Sequence, residues 1–289
     1  MGTSLDDLLD LLELERLEVN LFRGVSPKEE SQQRVFGGLV AAQALVAAGR
    51  TVDLDDEPRR ALHSLHAYFL RPGDPARPIV YDVDRIRDGR SFTTRRVVAV
   101  QHGRAIFNLA ASFQVIERGP DHQLEMPDVP VPEVLPTLRE QLAPYMSRFP
   151  PELAQWLLRE KPVEQRHVED PPWLQPSVRL PAQDVWIRAN GTLPEIPLIH
   201  ECVLAYASDM TLLDTARLPH AVAYRGLLQM ASLDHAMWFH RPFRSDDWLL
   251  YHQTSPSASG ARGLALGHVF RADGTLVATV IQEGLMRPL

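Results

Sequence analysis

The chain matches itself at an offset of about 170 residues. Tyr68-Phe69-Leu70-Arg71-Pro72 returns as Trp238-Phe239-His240-Arg241-Pro242, and the His102-Gly103 turn returns as Asp273-Gly274. The same shift sets Gly38 and Leu39 against Ser208 and Asp209, each pair opening an apolar helical stretch. At roughly 150 residues per domain, a 289-residue chain has room for two such copies. Between them lie 13 of the 24 prolines, from Pro120 to Pro181. This composition predicts a linker, partly ordered because Leu138 to Leu142 and Pro151 to Leu158 keep helical apolar spacing. The expected organisation is a first unit over 1–118, a proline-rich strap over 119–178 and a second unit over 179–289.

Each copy reads as one helix followed by long strands. Leu39 to Ala48 is apolar on nearly every face and ends at Gly49, so this helix must be wrapped by the rest of the unit. Its second copy is expected to start at Ser208 or Asp209, both good N-caps, and to run to Leu218 before Pro219. Strands are expected over Ala61 to Leu70, Ile79 to Ile86, Phe92 to Val100 and Ala105 to Val115. The second set covers Leu228 to His240, Trp248 to Thr254, Ala261 to Phe270 and Thr275 to Gln282. Tight turns such as Asp88-Gly89 join neighbouring strands antiparallel. A one-sided antiparallel sheet beside an all-apolar helix curls about it. The predicted class is therefore α+β, a double hotdog: two antiparallel sheets, each around a central helix, arranged as a pseudo-dimer in one chain.

Composition narrows the function. A net charge of −7 lacks the basic excess of a nucleic-acid binder, so any anionic ligand must meet a local patch. The longest weakly polar stretch, Val35 to Ala48, is too short to cross a bilayer, and Met1 to Leu14 alternates acid with leucine, unlike a secretion signal. A cytoplasmic setting without membrane partners is expected. The single cysteine, Cys202, excludes an intramolecular disulfide and reads as a small buried apolar residue. His200-Glu201 opens like a zincin motif, but position 204 is leucine; no metal or cofactor is expected. Nucleophile-elbow, Walker and dinucleotide signatures are absent.

RVFGGLVAAQAL (34–45), SLHAYFLRPGD (64–74), YDVDRIRDGRSF (81–92), SLDHAMWFHRPF (232–243) and VIQEGLMR (280–287) carry a resemblance to the acyl-CoA thioesterase II family over nearly the whole chain. That resemblance implies a double-hotdog enzyme that hydrolyses acyl-CoA to free acid and CoA without metal or cofactor. It also implies an aspartate, a hydroxyl residue and a glutamine holding the attacking water. Matched by motif, these fall on Asp209, Ser232 and Gln282. Some relatives carry threonine at the hydroxyl position; serine keeps the hydroxyl.

The chemistry is intelligible from the side chains themselves. Water can attack a thioester carbonyl directly if one group takes its proton and others fix its orientation. Asp209 is the candidate base, while Ser232 and Gln282 offer complementary donors and acceptors. First-turn amides at Gly37 and Gly38 are candidates to receive the oxyanion. Taken alone, Asp209 is a helix N-cap, Ser232 a strand-end hydroxyl and Gln282 an exposed strand residue. Their apolar counterparts in the first copy, Leu39 for Asp209 and Leu62 for Ser232, instead suggest that the second copy specialised.

Arg85, Arg87, Arg90, Arg95 and Arg96, with Arg262 in the second copy, are candidates to meet CoA phosphates, with Arg90, Arg95, Arg96 and Arg262 foremost. Their plain alternative is to cover a sheet face with their stems. Two other functions remain open at this point, a non-catalytic acyl-CoA sensor and an enoyl-CoA hydratase. The hydratase lacks its histidine, since Asp214 stands five residues after Asp209. Homo-oligomers through sheet edges or faces are expected.

Overall fold

The computed structural model describes residues 4–27, 34–52, 58–171, 174, 178–220 and 228–288; of residues 152, 153, 155 and 156 it describes the backbone alone. The first half comprises α1 (Leu5–Leu12), β1 (Glu15–Glu18), β2 (Leu21–Gly24), α2 (Gly37–Gly49), β3 (Arg60–Phe69), β4 (Ile79–Asp88), β5 (Phe92–Gln101) and β6 (Arg104–Val115). The strap holds α3 (Leu138–Leu142), α4 (Pro151–Leu158) and β7 (Val163–His167). The second half runs through β8 (Ala182–Ala189), α5 (Pro197–Ser208), a 3-10 segment (Leu212–His220), β9 (Leu228–Ser232) and β10 (Asp234–Phe239). It ends with β11 (Leu249–Ser259), β12 (Arg262–Arg271) and β13 (Leu276–Pro288).

Both halves curl around a helix, and their two sheets join edge to edge into one continuous sheet. The order is β1-β2-β4-β5-β6-β3-β10-β13-β12-β11-β8-β7, with β9 also on β13. The seam is the antiparallel pair β3–β10, which sets Ser64 against Trp238 and Tyr68 against Asp234. Pairing at the seam satisfies two strand edges that would otherwise present free backbone donors and acceptors. The strap supplies β7 as an outer strand beside β8.

Apolar patterning explains the core. From Gly38 to Gly49 every residue of α2 is buried, so its one polar side chain, Gln43, must be satisfied internally. Gln43 Nε2 donates to the carbonyls of Leu11 and Val25 at 2.7 and 2.9 Å, and its Oε1 accepts from Tyr81 Oη at 2.6 Å. A Cβ on Gly24 would lie 2.6 Å from Gln43 Oε1, so that neighbour must be glycine. Between β5 and β6, His102 and Gly103 both take positive φ (49° and 68°), as a two-residue type I′ hairpin requires.

The second central helix differs from the expectation. It is Pro197–Ser208, with proline in its first turn, and Asp209 is its C-cap. The residues beyond form the 3-10 segment Leu212–His220, containing Pro219. Ser208 and Asp209 resemble N-caps in sequence, but the true start was marked by Ile196-Pro197, since proline suits the first helical turn. The helices therefore correspond at an offset of 160 residues while the strands keep 170, because the second half carries about ten extra residues between helix and sheet.

The two helices lie antiparallel against each other. A Cβ on Gly38 would come 2.5 Å from the Tyr206 carbonyl near the end of α5, and one on Gly49 would strike Leu198 near its start. Each helix thus begins where the other ends.

Candidate active site

That crossing places the end of α5 at the start of α2. Asp209 leaves α5 and turns its carboxylate to the first turn of α2, where the Gly38 amide donates to it. Asp209 Oδ2 lies 2.8 Å from where a Gly37 Cβ would be, and Phe69 lies 2.7 Å from the same point. Glycine at 37 is what admits the carboxylate. Phe36, the cap of α2, has no side-chain bond to the first turn, so amides that lack partners inside the helix are available to an anion.

Strands supply the other two groups. Ser232 closes β9, and its Oγ donates to Asp209 Oδ1 at 3.0 Å. Gln282, on β13 and fully buried, donates through Nε2 to the same oxygen at 2.5 Å. Its Oε1 is buried without a hydrogen-bond partner. Burial pushes the Asp209 carboxyl up to about 6 from its ordinary 3.8. Opposing this are the Gln282, Ser232 and Gly38 bonds and the positive charge of Arg34, whose Nη2 donates to the Met230 carbonyl. The result is a half-buried base able to hold or release a proton near neutrality. Phe36 and Tyr206 meet edge to face at 5.1 Å, and with Phe69 and Met210 they form partly buried apolar surface around it.

The structure brings together Asp209, Ser232 and Gln282 of the second half with Gly37 and Gly38 of the first. It also corrects the first-copy counterpart of Asp209. At the helical offset this is Gly49, with Leu198 standing where Gly38 does. Leu62 corresponds to Ser232, and the ladders β3–β6 and β10–β13 make Ala111 the counterpart of Gln282. The related position is closed, with Leu62 and Ala111 buried, Leu198 packed on Gly49, and the buried Arg95 opposite Ala111 and bonded to Thr51.

The arginines lie elsewhere. Arg95 is 2% exposed and bonded to Thr51, Asp88 and the carbonyls of Arg87 and Thr94, so it braces the first half from within. Arg90 is exposed, Arg96 pairs with Asp84 at 3.0 Å and Arg262 pairs with Glu283 at 3.0 Å on the surface. Cys202 is buried among apolar residues, and burial holds its thiol well above the ordinary range. Among the described residues no cluster of three or more His, Cys, Asp or Glu could hold a metal ion, and no helix is long and apolar enough to cross a membrane. Sequence reasoning missed Arg34 and the residues that fix the end of α5. Tyr251 Oη donates to the Ser208 carbonyl at 3.2 Å, and His235 Nε2 lies 2.8 Å from Ser208 Oγ.

A sheet that wraps two antiparallel helices in one chain defines the double-hotdog class. Comparison with known proteins narrows it. The sequence model described as acyl-CoA thioesterase matches residues 159–285, and that described as acyl-CoA thioesterase N-terminal domain matches 26–114. Acyl-coenzyme A thioesterase 8 of Mus musculus is 44% identical, over 96% of this chain and 88% of its own. Acyl-CoA thioesterase 2 of Haemophilus influenzae is 42% identical over 99% of both. The crystal structure of an acyl-CoA thioesterase II from Mycobacterium marinum superposes with a TM-score of 0.79 at 46% identity, covering 98% of each chain. This chain belongs to the acyl-CoA thioesterase family.

Proposed function

We propose that this protein hydrolyses acyl-CoA thioesters to free acid and CoA by direct attack of water, with Asp209 as base. The observation that carries the reading is one carboxylate oxygen receiving hydrogens from both Ser232 and Gln282. Those bonds fix the carboxylate, leaving Oδ2 at the α2 start to take a proton from water. As the water oxygen bonds to the thioester carbon, the carbonyl π electrons move to oxygen. The oxyanion is received by the open first turn of α2, with Gly37 as principal donor because the Gly38 amide already steadies Asp209. Collapse of the adduct expels the CoA thiolate, and the proton held by Asp209 passes to that sulfur. The acyl chain lies along Phe36, Phe69, Tyr206 and Met210. Exposed arginines, Arg90, Arg96 and Arg262 among them, meet the CoA phosphates; Arg95 is left out because its donors are occupied. The setting is cytoplasmic, and copies associate through sheet faces or edges.

Release of CoA thiol from an acyl-CoA series tests the reading. The wild-type chain should release thiol, and Asp209→Asn should lose about a hundredfold or more in kcat, the range of a positioned acid–base group. Binding of acyl-CoA without thiol release by the wild-type chain would replace this reading with a sensor.

A further inference from the structure

The reaction described above uses one end of the Gln282 amide and leaves the other unexplained. β10 and β13 run antiparallel with Ala236 opposite Ile281, and His235 and Gln282 are the next residue on each strand, just before the register slips by one towards the Ser232–Gly284 pair. Alternation along the two strands puts His235 and Gln282 on the same inner face as the Met237–Val280 pair. Both are inside, His235 at 1% and Gln282 at 0% exposure.

Their hydrogen-bond accounts are complementary. The Ser208 hydroxyl lies 3.0 Å from the Ala205 carbonyl, 3.6 Å from Met237 Sδ and 2.8 Å from His235 Nε2. With its hydrogen on the Ala205 carbonyl, Nε2 carries the ring proton and Nδ1 is left a bare acceptor. His235 Nδ1 is buried without a partner, as is Gln282 Oε1. Two unsatisfied acceptors on one buried face are costly to leave unpaired, and a single molecule with two donors satisfies both.

We propose that His235 is a positioning residue of this site: His235 Nδ1 and Gln282 Oε1 accept the two protons of one buried water, and this bridge keeps the Gln282 NH2 turned to Asp209. The proposal rests on the reading of Asp209, Ser232 and Gln282 given above. It supplies what that reading lacks, because a free amide presents its oxygen or its nitrogen to a carboxylate and the two have opposite effects. With the oxygen turned away and held, Gln282 only donates. The Ser208–His235 bond makes the device continuous, since Ser208 is the residue before Asp209. The same arm thus sets both the carboxylate and the amide that binds it. The other charged or titratable groups near the carboxylate are Arg34 beside the start of α2 and Tyr251 on β11.

Three variants and one spectrum test it. His235→Phe keeps the ring but removes both nitrogens; its kcat should fall about tenfold with KM changed less than twofold. The acid limb of its kcat profile should move to higher pH, because a loosened Gln282 stabilises the carboxylate less. His235→Asn restores an acceptor near the Nδ1 position and should recover most of that loss. An unchanged kcat in His235→Phe, or a loss with the acid limb unmoved, overturns the proposal. Independently of any variant's folding, 15N-histidine spectra of the wild-type chain should show one buried ring protonated at Nε2 with Nδ1 as a hydrogen-bonded acceptor. The proposal is equally overturned if that ring carries its proton on Nδ1. Asp209→Asn assayed alongside separates the two readings: full activity there sinks the base assignment, whereas loss there with normal His235→Phe kinetics sinks only the positioning role.

Discussion

Asp209→Asn should inactivate this protein and stabilise it at the same time. The carboxyl rises from 3.8 to about 6 on folding because burial outweighs the Gln282, Ser232 and Gly38 bonds. At 1.36 kcal/mol per pH unit, keeping the site ionised above that value costs about 3 kcal/mol. A neutral amide of the same shape removes that cost, although its NH2 end is a poor partner for the Gly38 amide, worth about 1 kcal/mol or more. The net gain is thus about 1–2 kcal/mol, or about 2–4 °C in Tm for each kcal/mol in a chain approaching this size. Between pH 3.8 and about 6 the native state holds a proton that the unfolded chain has released, so wild-type stability falls as pH rises through this window. The advantage of the variant is therefore full above about pH 6 and vanishes below about pH 4. Thermal unfolding of both proteins at pH 8 and at pH 4, with thiol release at pH 8, measures it. A structural helix cap behaves in the opposite way: the variant would melt earlier at pH 8 and keep its turnover, and that outcome would refute the reasoning.

Wild-type kcat should rise with pH through about 6 and level off above, since the ionised carboxylate is the active form; a flat profile from pH 5 to 8 would exclude Asp209 as base. Gln282→Ala should lower kcat about a hundredfold, whereas Ser232→Thr, which keeps the hydroxyl, should stay within a few-fold of wild type; the reverse order in thiol-release assays would exchange their roles. Gly38→Ala drives a methyl to 2.5 Å from the Tyr206 carbonyl and should cost about 1–3 kcal/mol by denaturant unfolding, with activity falling as the helices part. Arg95→Leu should lower stability by about 1–3 kcal/mol because it strands the buried Thr51 hydroxyl and carbonyl, with KM for acyl-CoA unchanged; a KM rise without destabilisation would return this residue to the CoA site.

The parts of this architecture fixed by periodicity were readable in advance. An apolar run such as Leu39 to Ala48 has to be enclosed, and alternation along Ile79 to Val83 has to form one face of a sheet. Residues such as Leu138 to Leu142 keep helical spacing inside a proline-rich stretch, and they do form α3. What stayed hidden depends on where two distant segments meet. Ser208 and Asp209 look the same to a local rule whether they start a helix or end one, and only the partner helix decides that the Asp209 carboxylate faces the Gly38 amide. The seam β3–β10 is invisible for the same reason, because Ser64 and Trp238 lie far apart in the chain. α1 was readable from its Ser4–Asp7 capping box, a signal the alternation of acids and leucines obscured. The three polar site residues came from motif resemblance. Their geometry came from the antiparallel crossing of α2 and α5.

That crossing also fixes a stoichiometry. In a dimer of identical single units, any change at one helix junction is copied at the other, so a carboxylate gained on one side appears on both. Here the two junctions are encoded separately, and the one built from Gly49, Leu62, Ala111 and Leu198 is closed by packing and by the buried Arg95 while the other holds Asp209. A tight-binding thioester mimic should accordingly titrate one equivalent per polypeptide, whatever number of polypeptides assemble. Fusion of the two units let one junction be surrendered to packing while the other was tuned for chemistry.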